Sequence, residues 1–331
     1  MIKNPKVSFI CSVKNGSEYI KRCSSSVLNQ SLNDIELIFV DDHSTDDTWS
    51  IMEEISIKDK RVQSIKNYGR EGLTHSLNMG LDFARGEFIA RIDIDDFAHR
   101  DRAEKQAAML ESYDKAVMVS SCYRVIDSQD WLLYSHGPPG DPKMLRWSLC
   151  FRNYIRHSTA MWRRSLNVRY EPAFPHAQDY ELWCRISRIG DIVTLGSVMA
   201  TIRERSDSVT NTKHEEQELA ADKIAVEQWR FYTGSTMNCH EARCLRMIQH
   251  MKSSEQFRVF NEMGQEDFEQ AVFNYCLLAD GFMEKESPEL HAFMIEVGND
   301  IRPLLADDSR KSQSLAALGR ARSSLVSTII Q

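Results

Sequence analysis

Three carboxylates fall within four residues of one another at Asp93-Ile94-Asp95-Asp96, directly after the apolar run 88–92. Folding would bring these like charges closer together, which favours a bound cation that offsets their repulsion. Hard oxygen ligands select Mg²⁺ or Mn²⁺, and such an ion commonly completes its shell with phosphate oxygens of a substrate. The turn therefore predicts a metal site that receives a phosphorylated substrate, with a solvated acidic loop as the alternative.

A second acidic pair, Asp41 and Asp42, follows the apolar run 35–40. A carboxylate at the end of a strand can accept a hydrogen bond from a base or from a ribose hydroxyl. The same residues, together with Ser44 and Asp46, could instead cap the helix that follows. The residues alone leave both roles open.

Asp179 is the third acidic site, and it begins a segment in which Leu182, Trp183 and Ile186 have helical spacing. The helix dipole favours a carboxylate in the first turn, which would be a purely structural role. The functional alternative is a general base that takes a proton from a reacting hydroxyl. Without further context the structural role is favoured.

Short apolar runs alternate with helical patterns over the first third of the chain and must position these carboxylates. The pattern predicts strands at 7–13, 35–40, 62–65 and 88–92, and helices at 48–55, 73–84 and 17–28, the last with Ser17 as its N-cap. This alternation predicts a parallel, doubly wound α/β sheet, whose ligands bind beyond the carboxyl ends of the strands. Further strands are predicted at 117–126 and 192–202, and only helical patterns follow residue 213.

The composition is typical of a globular protein that is soluble or peripheral to a membrane. The chain has 331 residues, 42% of them hydrophobic, and a formal net charge of −7. A dominant basic face is absent from such a composition, so general affinity for nucleic acid is not expected. No apolar run approaches the roughly 20 residues of a membrane span, and the N-terminal run is too short for a signal peptide.

The eight cysteines contain no C-x-x-C pair and no nearby histidine cluster, so a zinc or redox motif is not expected. Cys11, Cys23 and Cys184 lie in apolar patterns, where a free cysteine behaves as a small hydrophobe. We therefore expect reduced thiols in a cytoplasmic protein.

The last stretch of the chain, 310–331, has apolar residues on one side, basic residues elsewhere and no acidic residue. A basic amphipathic helix of this kind can touch an anionic membrane at its inner face. The interpretation we favour for the whole helical region is that it packs on the preceding domain. An acceptor-binding cap, a partner-docking surface and a homodimer contact are the alternatives.

Six segments, in this order and spacing, resemble glycosyltransferase family 2 over roughly residues 5–211. They are PKVSFICSVKNGSEYIKRCSSSVLNQS, ELIFVDDHSTDDT, GLTHSLNMGLDFARGEFIARIDIDD, HSTAMWRRS, QDYELWCRI and SDSVT. The resemblance implies a GT-A fold, with a Rossmann-like, mostly parallel sheet flanked by helices. The expected domains are a transferase domain at 1–212, comprising a nucleotide-binding half 1–97 and an acceptor-binding half 98–212, and a helical region at 213–331.

On the donor side, the resemblance implies that Ser12, Asp42 and Asp41 hold the uridine. Arg70 matches the loop that encloses the base. The aromatic residue common in the family at Lys14 is absent, so base stacking there is not implied.

At the reaction centre, the resemblance implies that Asp95 binds Mn²⁺ or Mg²⁺ directly, with Asp93 toward the ribose or a metal-bound water. Asp179 matches the catalytic base. His157 and Trp183 match positions on the acceptor side, although either could be a packed core residue.

Two further departures from the family pattern lie near the acceptor and the diphosphate. Gln178 replaces a glutamate that often precedes the base. Arg205 replaces a histidine that is sometimes a metal ligand, and it could contact the diphosphate or face solvent.

The implied reaction is an inverting transfer from a nucleotide-diphosphate sugar, expected to be a UDP-sugar, to a hydroxyl of a glycan or glycolipid in bacterial surface polysaccharide synthesis. A metal neutralises the leaving diphosphate, and one base acts on the opposite face of the sugar. A glycoside hydrolase would instead place two carboxylates around the bond.

Three other classes fit the residues less well. A nucleotidylyltransferase would carry a glycine-rich basic loop after the first strand, and a dinucleotide-dependent oxidoreductase would carry G-x-G-x-x-G there. The sequence at that place is Ser-Val-Lys-Asn-Gly. A catalytically degenerate binding module is the non-enzymatic alternative, and the intact Asp42, Asp95 and Asp179 argue against it.

Overall fold

The computed structural model describes residues 4–204, 213–250 and 263–286. The chain divides into two compact units, one of Met1–Leu145 with Asn153–His214 and one of Arg146–Arg152 with Glu215–Gln331. The domain bounds expected from the sequence stay a prediction. Arg205 and the stretch 310–331 lie outside the described residues.

One sheet of nine strands forms the frame of the first unit. Its strands are β1 Val7–Val13, β2 Ile35–Asp41, β3 Val62–Lys66, β4 Phe88–Arg91, β5 Phe97–Ala98, β6 Ala116–Ile126, β7 Leu132–His136, β8 Met161–Arg163 and β9 Asp191–Arg203. The helices up to residue 204 are α1 Ile20–Leu28, α2 Thr48–Lys58, α3 Leu73–Phe83, α4 Arg102–Ser112, α5 Pro142–Ser148 and α6 Gln178–Ser187.

The strand order is β3-β2-β1-β4-β8-β6-β9-β5, with β7 paired to β6. The first four strands are mutually parallel, so their carboxyl ends share one edge of the sheet. Strand β8 is antiparallel to both β4 and β6, and β9 is parallel to β6. The predicted α/β sheet is therefore confirmed, with a parallel first half and a mixed second half.

Strands β1 and β2 are buried along their whole length because helices cover both faces of the sheet. Their near-continuous apolar sequences are typical of parallel strands in such a layer. Helix α3 lies close to β1, and a Cβ atom built on Gly80 would come within 2.6 Å of Ile10 Cγ2. The close approach requires a glycine at this point of the helix.

Helix α1 begins at Ile20, three residues later than the predicted N-terminus, and Tyr19 rather than Ser17 is its N-cap residue. The Ser17 amide donates to the Asp46 carboxylate at 3.2 Å. This bond from a neighbouring loop holds Ser17 in the preceding turn, while the Tyr19 and Ile20 amides donate to the Gly16 carbonyl. A tertiary contact thus overrides the local capping preference.

The described part of the second unit is helical, as its sequence pattern predicted. Its helices are α7 His214–Thr233, α8 Cys239–His250 and α9 Gln265–Glu286. Trp147 packs edge-to-face on Tyr275 and Phe282 of α9, and the buried Asp222 pairs with Arg246. No helix in the described ranges is both long and apolar enough to cross a bilayer.

Candidate active site

The acidic turn 93–96 leaves the sheet at the carboxyl end of β4, which lies between β1 and β8. Because β8 runs antiparallel to β4, the 3₁₀ turn His157–Thr159 that precedes β8 reaches the same edge. This topology brings Ser158 to the acidic turn although 65 residues separate it from Asp93. The Asp93 amide donates to Ser158 Oγ at 2.8 Å, and that hydroxyl donates to Asp93 Oδ2 at 3.2 Å.

Asp93 is held as a charged carboxylate. Its Oδ1 accepts a hydrogen bond of 2.5 Å from Nη2 of Arg91, a residue that is fully buried. Burial alone would raise the pKa of Asp93, but the charge of Arg91, the nearby His157 and the Ser158 hydroxyl together bring that pKa below its ordinary value. The side chain is thus fixed in orientation and ionised at neutral pH.

Asp96 differs from Asp93 in that its pKa is raised rather than lowered. Its side chain is 3% exposed, and burial together with the charges of Asp95 and Asp93 raises its pKa well above the usual range. Its Oδ1 accepts a hydrogen bond of 2.9 Å from the Arg203 amide at the end of β9. Asp96 therefore fastens the turn to the sheet.

The turn fits a divalent cation. Asp93 and Asp95 are half-buried, so their carboxylates are reached by solvent, whereas Asp96 is enclosed. The carboxylates of Asp93 and Asp95 are hard oxygen donors, the ligand type that Mg²⁺ or Mn²⁺ prefers. Their negative charges also raise the pKa of the neighbouring Asp96. A cation at these two carboxylates would offset the repulsion that contributes to the raised pKa of Asp96.

Asp179 lies in the first turn of α6, and both of its oxygens are oriented by hydrogen bonds. Oδ1 accepts the Tyr180 amide at 2.8 Å, and Oδ2 accepts Nδ2 of Asn153 at 2.9 Å. Burial raises the pKa of Asp179 to about 6; the Tyr180 amide opposes this rise and the charge of Asp93 adds to it. The electrostatic effect of Asp93 indicates that Asp179 and the acidic turn belong to one site.

A packed aromatic cluster lies beside Asp93 and Asp179. His157 Nε2 is 2.7 Å from the Tyr170 hydroxyl, and Trp183 contacts the His157 ring edge-to-face. Burial and the charge of Arg91 lower the pKa of His157 to about 3, so the imidazole is neutral. Trp183 is fully buried, which is the core position that the sequence analysis gave as its alternative. The acceptor-side roles of both residues stay predictions.

The predicted nucleotide residues lie along the same edge, at the ends of β1 and β2. Ser12 and Asp41 are buried near the carboxyl ends of their strands. Asp41 Oδ2 has no hydrogen-bond partner within the described part of the chain. A buried, unpaired carboxylate oxygen is costly unless a ligand donates to it. This oxygen is therefore a candidate acceptor for a donor group of the nucleotide.

Asp42 organises the loop that follows β3. Its carboxylate accepts the Gly72 amide at 3.0 Å, the Ser76 hydroxyl at 2.8 Å and Nδ2 of Asn67 at 3.1 Å. These bonds shape the segment in which Arg70 lies with its side chain exposed. The structure therefore gives Asp42 a loop-holding role, and its contact with uridine stays a prediction.

Sequence reasoning did not find Asn153, Arg91, Ser158 or Tyr170. Asn153 and Asp179 are 26 residues apart, and Asn153 lies outside the six segments that carry the family resemblance. Arg91 could have been noticed, since Arg-x-Asp places two opposite charges on one side of an extended segment. Gln178, which was predicted on the acceptor side, is the first residue of α6 and is buried.

Comparisons with known proteins agree with this architecture. The profile of "Glycosyl transferase family 2" matches residues 8–169. An uncharacterized glycosyltransferase of Haemophilus influenzae is 31% identical over 240 residues, covering 69% of this chain and 74% of the relative. The chondroitin synthase of Escherichia coli is 30% identical over 198 residues, covering 56% of this chain and 27% of that longer protein.

Solved structures show the same fold. The crystal structure of S. aureus TarS 1–349 in complex with UDP-GlcNAc has a TM-score of 0.57 at 16% identity, covering 98% of this chain and 92% of that one. The fold is therefore the GT-A fold implied by the sequence, with further helices toward the C-terminus. The profile match, the extent of the Haemophilus influenzae similarity and the shared fold establish that this chain is a glycosyltransferase of family 2.

Proposed function

We propose that the chain transfers a sugar from a UDP-sugar to a hydroxyl of a glycan or glycolipid acceptor with inversion of the anomeric configuration. The observation that carries the proposal is that Asp179 and the acidic turn belong to one site. The pKa of Asp179 is raised to about 6, and the charge of Asp93 contributes to that rise. A single base and a cation-accepting turn within one site are what direct displacement requires.

Asp179 acts as the general base in this proposal. With a pKa of about 6 it is mostly ionised at neutral pH, yet it is a stronger base than an ordinary aspartate. The Asn153 amide and the Tyr180 amide fix the plane of the carboxylate and leave lone pairs for the acceptor hydroxyl. A single base opposite the leaving group gives inversion, whereas a retaining hydrolase would need a second carboxylate about 5 Å away.

Asp95 and Asp93 would hold Mn²⁺ or Mg²⁺ in this proposal. When bound, the ion supplies positive charge that stabilises the leaving diphosphate. Asp93 is prepared for this role because Arg91 and Ser158 fix its orientation and keep it ionised. The exposed Arg70 and the unpaired Asp41 Oδ2 are the groups proposed to meet the nucleotide.

Two similar proteins support a polymer-forming role. One is a chondroitin synthase of Escherichia coli, and the other, TarS, was solved with UDP and with UDP-GlcNAc. We therefore propose an N-acetylhexosamine or hexose donor and a surface polysaccharide acceptor. Action in the cytoplasm, at or near the inner face of the membrane, is part of the same proposal.

A nucleotide-release assay tests the proposal. The purified full chain is incubated with Mn²⁺, a panel of UDP-sugars and candidate oligosaccharide acceptors, and free UDP is measured. Asp179→Asn should abolish release while calorimetry still detects UDP binding, and the product of the wild-type chain should have the inverted anomeric configuration by NMR. The matched control is Asp82→Asn, which removes an exposed carboxylate that pairs with Arg169.

Two outcomes would contradict the proposal. Turnover by Asp179→Asn at the wild-type rate would remove the base assignment. UDP binding by the wild-type chain without release from any donor and acceptor pair would favour the degenerate binding module.

A further inference from the structure

Three side chains of different chemistry converge on one point in the second unit, between α8 and α9. His240 and Cys244 are four residues apart on α8, so they share one face of the helix. Asp267 comes from α9. One ligand atom from each of the three lies within 4.8 Å of the other two.

The distances resemble those between ligands of a tetrahedral metal ion. His240 Nε2 is 2.9 Å from Asp267 Oδ2 and 3.8 Å from Cys244 Sγ. With metal–sulfur and metal–nitrogen bonds of about 2.3 and 2.0 Å, adjacent ligands of a tetrahedral Zn²⁺ lie about 3.3–3.6 Å apart. The two measured separations lie on either side of that range, so small side-chain rotations would complete the geometry.

The same ring nitrogen faces both the carboxylate and the thiol. A neutral imidazole nitrogen carries either one hydrogen or one lone pair, so it fully serves only one of these two partners. A cation at the centre would take the lone pair of His240, a carboxylate oxygen of Asp267 and the sulfur of Cys244 together. Imidazole, thiolate and carboxylate are the three ligand types that Zn²⁺ binds.

We propose that His240, Cys244 and Asp267 form a zinc site that links α8 to α9. Binding transfers the thiol proton of Cys244 to solvent, and a water fills the fourth position. A zinc motif was not expected from the sequence, because Asp267 follows Cys244 only after 22 other residues and no C-x-x-C pair is present. The site is separate from the acidic turn 93–96 and does not depend on the function proposed above.

Cys244 is buried, whereas the other two ligands are reached by solvent. A divalent ion bound to the sulfur would stabilise the thiolate form. His240 and Asp267 are exposed enough to give the ion a path from solvent.

Cobalt spectroscopy tests the site, because a thiolate bound to Co²⁺ gives a charge-transfer band in the near ultraviolet that oxygen ligands do not give. The full chain, reduced and stripped of metal, is titrated with Co²⁺ in excess Mg²⁺, which fills carboxylate sites. We expect a band that saturates at one equivalent and disappears when Zn²⁺ is added. Asp95→Ala should show the same band, since its change lies in the other unit.

Variants identify the ligands. Cys244→Ser should abolish the band, whereas the matched control Cys239→Ser, on the same helix, should keep it. His240→Ala should weaken Co²⁺ binding at least about tenfold, as the loss of a direct ligand exceeds the effect of an outer-shell change. His240 is 65% exposed at its side chain, so this variant tests the site even if Cys244→Ser fails to fold.

Zn²⁺ should also raise the melting temperature of the wild-type chain and not that of His240→Ala. Absence of the band in the folded wild-type chain, or its persistence in Cys244→Ser, would overturn the proposal. The three residues would then be an ordinary histidine–aspartate ion pair beside a buried thiol.

Discussion

Replacing Asp179 with asparagine should abolish sugar transfer and, at the same time, stabilise the folded chain. The folded state raises the pKa of this carboxyl from 3.8 to about 6, chiefly through burial. At neutral pH the side chain is charged in both the folded and the unfolded chain, so the fold carries the cost of that charge. Asparagine keeps the oxygen that accepts the Tyr180 amide or the Asn153 amide and has no charge to bury.

The size of the effect follows from the two pKa values. A difference between 3.8 and about 6 corresponds to ~3 kcal/mol when both states are ionised. The carboxyl is half-buried, so water screens part of this cost, and we expect a gain of about 1–2 kcal/mol in the free energy of unfolding. The sign is fixed, since a carboxyl whose pKa is raised by folding makes the chain less stable as pH rises from about 3.8 to about 6, and the full cost is present above about 6.

Urea unfolding of the two proteins, followed by tryptophan fluorescence, measures this gain. Six tryptophans contribute to the signal, among them Trp183 and Trp162, which pack against each other in the cluster beside Asp179. The difference between variant and wild type should be largest at about pH 7.5 and fall to about half at about pH 5, where the wild-type carboxyl is largely protonated when folded. Asp82→Asn, which changes an exposed carboxylate, should show no such pH dependence.

An Asp179→Asn protein that is less stable than wild type at about pH 7.5 would refute this reasoning. So would a gain in stability that is equal at both pH values, because the charge of Asp179 would then not be its source. Loss of activity together with the pH-dependent gain would show that the fold accepts a cost in stability in order to keep a strong base.

Three further predictions follow from the same geometry. Asp95→Ala should weaken UDP binding in Mn²⁺, and equal binding by calorimetry with and without Mn²⁺ in both proteins would contradict the metal role. Asn153→Ala removes a hydrogen bond to the charged form of Asp179, so it should raise the pKa of that carboxyl. The acidic limb of the pH profile of kcat/KM, which should lie near pH 6 in wild type, should then move upward by about half to one pH unit, with KM for the donor unchanged. An unmoved limb would show that Asn153 has only a structural role. Gly86→Ala would place a Cβ atom 2.5 Å from the Ser8 amide nitrogen and should reduce the free energy of unfolding by about 2 kcal/mol, which urea unfolding would detect.

The parallel half of the sheet follows from its sequence because burial on both faces gives its strands continuous apolar runs. The bounds of β1 agree with the prediction, and those of β2 and β3 differ by a residue at one end. In the second half, β6 and β9 agree with the predicted strands to within one residue at each end, whereas β7 and β8 were not predicted. Strand β8 has only three residues, and all five residues of β7 are exposed, so neither produces a periodic pattern.

The positions of the acidic residues could also be predicted, because each follows an apolar strand or begins a helix. The directions of their pKa shifts could not be predicted. Asp93 and Asp96 are three residues apart in one turn, yet the pKa of one is lowered and that of the other is raised. The difference comes from the charge of Arg91, which lowers the pKa of Asp93, and from burial with the charges of Asp95 and Asp93, which raise the pKa of Asp96.

The buried charge of Arg91 acts on two neighbouring groups of the site. It helps to bring the pKa of Asp93 below its ordinary value, and together with burial it lowers the pKa of His157 to about 3. Burial raises the pKa of Asp179 to about 6, which is close to the neutral range. His157 and Asp93, whose pKa values are lowered, are therefore weaker bases than Asp179 toward an acceptor hydroxyl. In the proposed mechanism the buried arginine thus disfavours its two neighbours as bases, which supports the assignment of that role to Asp179.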